Sequence, residues 1–343
     1  MTEKLNNVYI EETALTAGHL EKEGPLGKYF DKTYKDFNIG KSLEQSEVKL
    51  SKDALNILLK KTNKTSKDIE LITGGDLLNQ ISATSYAIEK TNIPFLGVFS
   101  ACATSVESLI IASKFIETKT IKNAICITSS HNLAEEKQFR NPTEYGYTKP
   151  KTATFTSTGG SAILLTNEKT NIKITNYTIG KIVNMNQKDP NNMGAAMAPA
   201  AADTIYNHLT NLSITPDYYD LILTGDLGIY GKEILKDYLK ENYNLKLDNY
   251  NDCGAMLYNL KKQKEITAGG SGPVCSTLVN YGYIYNQLKT KKLNKVLLVT
   301  TGALFSPTFL FQKQDILGIA HAISWENVQW LIYYHSYSVE HFV

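Results

Sequence analysis

The strongest constraint on the fold of this 343-residue chain is that the same order of elements is written twice. The first half opens on a strand-like stretch, VYIEETALTAG (8–18). A helix is expected from Leu43 to Lys61, a strand at IELIT (69–73) running into GGDLLNQ, and a helix from Ser82 to Thr91. IPFLGVF (93–99) reads as an apolar strand. SVESLIIASKFIETK (105–119) reads as a helix, with Val106, Leu109, Ile110, Phe115 and Ile116 spaced for one buried face. NAICITSS (123–130) is a buried strand, and TATFTSTGGSAILLT (152–166) reads as two strands around a glycine pair.

The second half repeats this order. NIKITNYTIGKIV (171–183) is strand-like, and YDLILTGDLG (219–228) ends in Gly-Asp-Leu as the first half's strand does. Residues 274–303 lie without gaps on 102–131 at an offset of 172, and GSAIL (160–164) finds its echo in AHAIS (320–324). Buried apolar strands alternating with helices give an α/β class with mainly parallel sheets and helices packed in layers. The expected organisation is two pseudo-repeated halves, 1–170 and 171–343, in one integrated fold. The Ala-rich 193–209 reads as a close-packed helix.

Composition narrows the function classes. Lys+Arg 36 against Asp+Glu 34 leaves a formal net charge of +2, so the basic footprint of a nucleic-acid or anionic-lipid binder is missing from the sequence as a whole. Cys102, Cys126, Cys253 and Cys275 have neither CxxC spacing nor a disulfide pattern, and neither an EF-hand loop nor a DxDxDG-type cluster is present. No metal or cofactor is expected. The first residues lack a signal-peptide pattern, and no apolar run reaches the roughly 18 residues of a spanning helix, so a soluble chain is expected. Arg140 is the single arginine of the chain, amid lysines.

Chemistry concentrates at FSACATS (99–105), where Cys102 stands between a strand and a helix. Unpaired backbone N–H groups and the positive end of a helix dipole there favour a thiolate. Asp76 and Asp226 each follow a strand end, where α/β folds place ligands, or each caps the next turn. His131, in the polar setting SSHN, is suited to hydrogen-bond a carboxylate or ring nitrogen, or to be satisfied by backbone groups. Arg140 offers a planar bidentate partner for a carboxylate, or pins its own loop to Glu144. The glycines at 269, 270 and 272 form an anion nest or simply turn the chain.

The duplicated α/β unit with a cysteine at its first-half elbow resembles the thiolase and ketoacyl-synthase superfamily. Within it, EKEGPLG (21–27), GDLLNQ (75–80), ACATSVES (101–108), SSHN (129–132), QFRNPTEYG (138–146), AMAPAAADTI (196–205), NDCG (251–254), AGGSG (268–272) and GALFSPT (302–308) resemble a family of thiolase-like sporulation proteins. That family serves a spore-former's dipicolinic acid transport system. The resemblance implies binding of dipicolinic acid, free or as its calcium chelate. It also implies docking on membrane components of that system at the spore inner membrane, and a thiolase-type homodimer as one arrangement.

It further implies a pocket around Cys102, Asp76 and His131, with Arg140 as a carboxylate partner, and it ranks Asp76 above Asp226. The superfamily's acyl transfer needs His, Asn or a second Cys beside the elbow cysteine. Here Asp226 stands where a histidine is expected, and AGGSGPV (268–274) carries no basic side chain. His321 has no evident partner. The sequence therefore favours a non-catalytic binding protein. The alternatives are an acyltransferase or condensing enzyme working through a Cys102 thioester, and an assembly scaffold of a membrane complex. The aromatic stretch 324–343, with Trp325 and Trp330, departs from the family and reads either as packing on the body or a dimer, or as an exposed contact patch.

Overall fold

The computed structural model describes residues 1–140 and 149–329, with Arg140 described by its backbone alone. Ten principal strands form one sheet. They are β1 (Tyr9–Ala17), β2 (Ile72–Gly75), β3 (Phe95–Gly97), β4 (Asn123–Ser130) and β5 (Gly159–Thr166), then β6 (Ile172–Ile179), β7 (Leu221–Thr224), β8 (Tyr250–Asp252), β9 (Lys295–Leu304) and β10 (Leu317–Asn327). Their spatial order is β3-β2-β4-β5-β1-β6-β10-β9-β7-β8. In each half four strands share one direction, and the last, β5 or β10, runs antiparallel between two of them. The halves join where β1 and β6 pair antiparallel, Tyr9 against Lys173 and Ile10 against Ile172.

The repeat holds at the level of register. Cys126 pairs with Ile163 in the first half. The 172-residue offset carries Cys126 to Leu298, which pairs with Ile323, the counterpart of Ile163 in the GSAIL/AHAIS echo. One strand further out, Ile72 pairs with Ile125 and Ile222 with Leu297, so the two Gly-Asp-Leu turns after β2 and β7 are equivalent positions.

Most strands are buried on both faces, which explains their unbroken apolar runs. Alternate residues serve different cores. Cys126, Leu298, Ile323 and Trp325 point to a central cluster, while Ile125, Ile127, Leu297 and Val299 point outward. Helices α1 (Leu43–Thr62) and α2 (Ser82–Ile88) cover the first outer face. Helix α3 (Thr104–Glu117) and the continuous helical run α6 (273–289), a π-helix in its middle stretch, fill the centre. Helices α4 (Met193–Leu212) and α5 (Gly228–Tyr243) cover the second outer face. In the centre Ser105 and Ser276 approach to 3.2 Å, joining the starts of α3 and α6.

One sequence expectation changes, and one open alternative is decided for Trp325. The run 93–99 yields only a short edge strand, β3, with Leu96 exposed, because it has a neighbour on one side alone. Trp325 is not part of an exposed patch: it lies inside β10, fully buried, stacked on Tyr281 at 5.8 Å. Trp330 and the rest of 330–343 lie outside the described residues. Among the described residues no helix is long and apolar enough to cross a membrane.

Candidate functional site

The elbow before α3 is a strained turn held by its neighbours. Ala101 adopts a left-handed backbone (φ 49°), which costs a non-glycine residue about 1–2 kcal/mol. Thr104 locks it, its hydroxyl accepting from the Ser100 N–H (3.0 Å) and donating to the Ala101 carbonyl (2.7 Å). On the far side Gly302 of β9 lies so close that a Cβ there would sit 2.3 Å from the Ser100 carbonyl oxygen. The turn presents Cys102 to a partly open cavity of about 40 Å³ at the seam of the two halves, with the thiol residue only 6% exposed. At roughly 10–15 Å³ for each water, that space holds about three. Leu77, Ala101 and Thr156 from the first half and Met193, Ser271 and Ala303 from the second contribute walls. Phe99, Phe139 and Phe305 are shared with an open cleft of about 590 Å³, so these three aromatics stand at the mouth. Phe99 is half exposed, and Phe139 and Phe305 meet at 5.8 Å.

Cys102 meets a carboxylate instead of a histidine. Its thiol hydrogen-bonds with Asp226, and burial together with that carboxylate pushes the thiol well above its ordinary range. This corrects the expectation of a favoured thiolate. Donors from the Gly272 N–H and Ser271 help the thiolate, but desolvation and the like charge outweigh them. Asp226 is itself firmly held. Thr301 Oγ donates to one carboxylate oxygen (2.7 Å), and Ser271 Oγ and the Gly272 N–H donate to the other (3.0 Å each). Burial raises its pKa. The 268–274 loop thus acts as a donor cradle for Asp226. Gly270 leaves no room for a larger helper, since a Cβ there would lie 2.7 Å from Cys275 Sγ.

The repeat explains why the two aspartates differ. Asp76 accepts from the Leu78 N–H (2.9 Å) and the Thr84 N–H (2.7 Å), capping its own loop, fully buried. At the equivalent turn of the second half that task falls to Asp252, which binds the Leu227 and Gly228 N–H groups (2.9 Å each). Asp252 ends β8 where the first half has Gly97 at the end of β3. With Asp252 holding the turn, Asp226 is free to face Cys102. Asp226 is thus the aspartate that acts on Cys102, while neither it nor Asp76 forms part of the cavity wall.

His131 does not line the cavity either. It is fully buried, its Nε2 donates to the Phe37 carbonyl (2.8 Å), and burial lowers its pKa. His321 accepts from the Gly180 N–H at Nδ1 (3.2 Å) and is pushed down to about 4 by burial. The side chain of Arg140, like Glu144, lies outside the described residues. Among the described residues no group of three His, Cys, Asp or Glu side chains is arranged to hold a metal ion.

Reading the sequence alone missed Glu135, a buried carboxyl of the cavity wall, and the aromatic mouth. Glu135 sits in a short helix, Asn132–Glu135, directly after SSHN, and nothing in its local pattern marks it as buried.

A duplicated α/β fold with an elbow cysteine opening on a cavity between the halves defines a thiolase-like protein. Solved structures agree across nearly the whole chain, and at this identity they show the fold alone. The acetyl-CoA acetyltransferase of Syntrophomonas wolfei matches with TM-score 0.60 at 12% identity, covering 94% of this chain and 100% of its own. The Bacillus anthracis acetyl-CoA acetyltransferase gives 0.58 at 11% (94% and 99%), and the Aquifex aeolicus 3-oxoacyl-[acyl-carrier-protein] synthase III gives 0.57 at 12% (93% and 99%). More specifically, the chain belongs to the stage V sporulation protein AD family, whose profile it matches over residues 2–326. It is 46% identical over 321 residues to the Bacillus subtilis stage V sporulation protein AD, covering 93% of this chain and 94% of that protein.

Proposed function

We propose that this sporulation-family protein is a non-catalytic binding protein for dipicolinic acid, free or as its calcium chelate, with the ligand seated at the Cys102 cavity. The observation that carries the reading is the replacement of a histidine by Asp226 beside an otherwise intact elbow. Room for a planar ring comes from the aromatic mouth and the adjoining cleft of about 590 Å³, of which the Cys102 cavity is the inner end, and burial disfavours the thiolate there. Arg140 directly follows the mouth residue Phe139 in sequence and is the proposed partner for a ligand carboxylate. Asp76 and His131 then act behind the wall, as positioning groups. Attachment to the spore inner membrane runs through partner proteins of the same transport system, with a homodimer as a further proposed state.

Titration calorimetry with dipicolinate, with and without calcium, tests this. Saturable binding that is lost in Cys102→Trp, which fills the cavity, is expected. Absence of binding at millimolar ligand sinks the proposal. The intact elbow favours one rival, acyl transfer through Cys102. A stable, Cys102-dependent mass adduct after incubation with an acyl-CoA would establish it in place of the binding role.

A further inference from the structure

Two buried carboxyls beside the cavity each leave one oxygen without a donor among the described residues. Glu135 lines the cavity with Cys102 and is 2% exposed. One of its oxygens accepts from the His131 N–H (2.8 Å), and the other, Oε1, has no donor among the described residues. Glu47 of α1 is fully buried, with one oxygen accepting from Ser129 Oγ (3.0 Å) and Oε2 equally without a donor. The two buried carboxyls lie close enough to act on each other, and a proton on either one would give the pair a hydrogen to share.

The surroundings reinforce this. Asp76, from the turn after β2, adds a third buried carboxyl whose field reaches both. His131, at the end of β4, faces the pair through its backbone N–H, and burial disfavours its cationic form. Further out lie two ion pairs, Glu136 with Lys149 (2.7 Å) and Glu44 with Lys137 (2.9 Å). Burial and mutual repulsion raise the affinity of Glu47 and Glu135 for protons.

We propose that Glu135, backed by Glu47, is a ligand-contacting residue of this cavity that presents a proton to an anionic carboxylate, so that binding of such a ligand takes up a proton from solution. The proposal rests on the reading that the ligand is a carboxylate. An anion brought against the buried pair makes its ionised form costlier still, and the group that gains the proton becomes a hydrogen-bond donor to the anion. A neutral carboxylic acid used as a donor near pH 7 is an established device of apolar sites. The balance is simple: one proton leaves the solvent, the carboxylate becomes a carboxyl, and no bond to carbon changes.

Calorimetry of the full chain with sodium dipicolinate, in two buffers of different ionisation heat, reads the protons directly. Uptake that grows with pH toward about one proton per ligand is expected, with affinity falling by up to about tenfold per pH unit above about pH 8. Glu135→Gln removes the titrating carboxyl and should lose both the proton uptake and the pH dependence of whatever binding remains. Glu47→Gln, which removes the proton-sharing partner, should lower the uptake and serves if the first variant does not fold. Binding with the same heat in both buffers, or uptake unchanged in these variants, overturns the inference while leaving the binding role standing. Absence of any binding overturns the ligand reading, and the inference with it.

Discussion

Replacing Asp226 by Asn should wake the Cys102 thiol. The substitution is nearly isosteric, and its surroundings can accept it. The retained carbonyl can keep the Ser271 and Gly272 donors, and the new amide can point to Thr301, whose hydroxyl already accepts from the Asp226 N–H at 3.3 Å. What disappears is the negative charge against the thiol. A unit charge about 4 Å away in an effective dielectric of about 20 is worth about 4 kcal/mol, or about three pKa units. That is the ceiling, reached where Asp226 is fully ionised. Thiolate content then rises by up to about a thousandfold, but intrinsic nucleophilicity falls with a Brønsted slope of about 0.4–0.5, leaving a ceiling of about thirty- to sixtyfold on the gain in attack rate. The assay is the rate of iodoacetamide alkylation at pH 8, followed by intact mass, with Cys102→Ser as the control for adducts at the other buried cysteines. An increase of about five- to thirtyfold at Cys102 is expected. An unchanged or slower rate would refute the claim that Asp226 holds the thiol down.

Two further predictions concern stability. Gly302→Ala drives a Cβ into the backbone of the Ser100–Ala103 elbow, which has no side chain to swing aside; it should cost about 1–3 kcal/mol in urea unfolding, and an unchanged midpoint would contradict the close approach. Stability should fall as pH rises from about 6.5 to 8. Buried Glu135 and Asp252 have folded pKa values raised above their unfolded ones, Asp252 to about 7, so the native state holds the extra protons and loses that advantage on the way up. Each such group contributes a slope of about −1.4 kcal/mol per pH unit while it stays protonated only in the native state. The buried histidines His208 and His321, pushed down to about 4, act in the opposite sense and only below about pH 6.5. Urea unfolding across this range checks the sign, and a curve rising toward pH 8 would refute it.

Much of the fold was legible because the pattern was long and doubled. The 172-residue offset that lays β4 on β9, together with the 160-residue offset of GSAIL on AHAIS, reproduces the pairing of β4 with β5 in that of β9 with β10, residue for residue. The cavity was harder to read. Its position followed from the elbow cysteine, but the choice between Asp76 and Asp226 depended on a third aspartate, Asp252, supplied by a different strand. Both candidates sit in the same Gly-Asp-Leu context, so no local signal separates them. Nothing in the sequence marks Glu135 and Glu47 as buried, because acidic side chains are seldom fully buried and their burial is decided by tertiary packing alone. His131 illustrates the reverse: a polar neighbourhood in sequence became a closed interior once Phe37 covered it.

The seam at which the halves meet also bears on when the binding site comes into being. Ser105 and Ser276 touch although 171 residues separate them, and Cys102 depends equally on the distant Asp226 and Gly302. Contacts of such long range slow folding more than they reduce final stability. A nascent first half carries the cysteine elbow without its cavity, and that cavity forms only after β9 has left the ribosome and paired beside β10. A ligand of this cavity would therefore act on the finished fold alone, shifting the equilibrium toward fully assembled chains without helping any partly folded one.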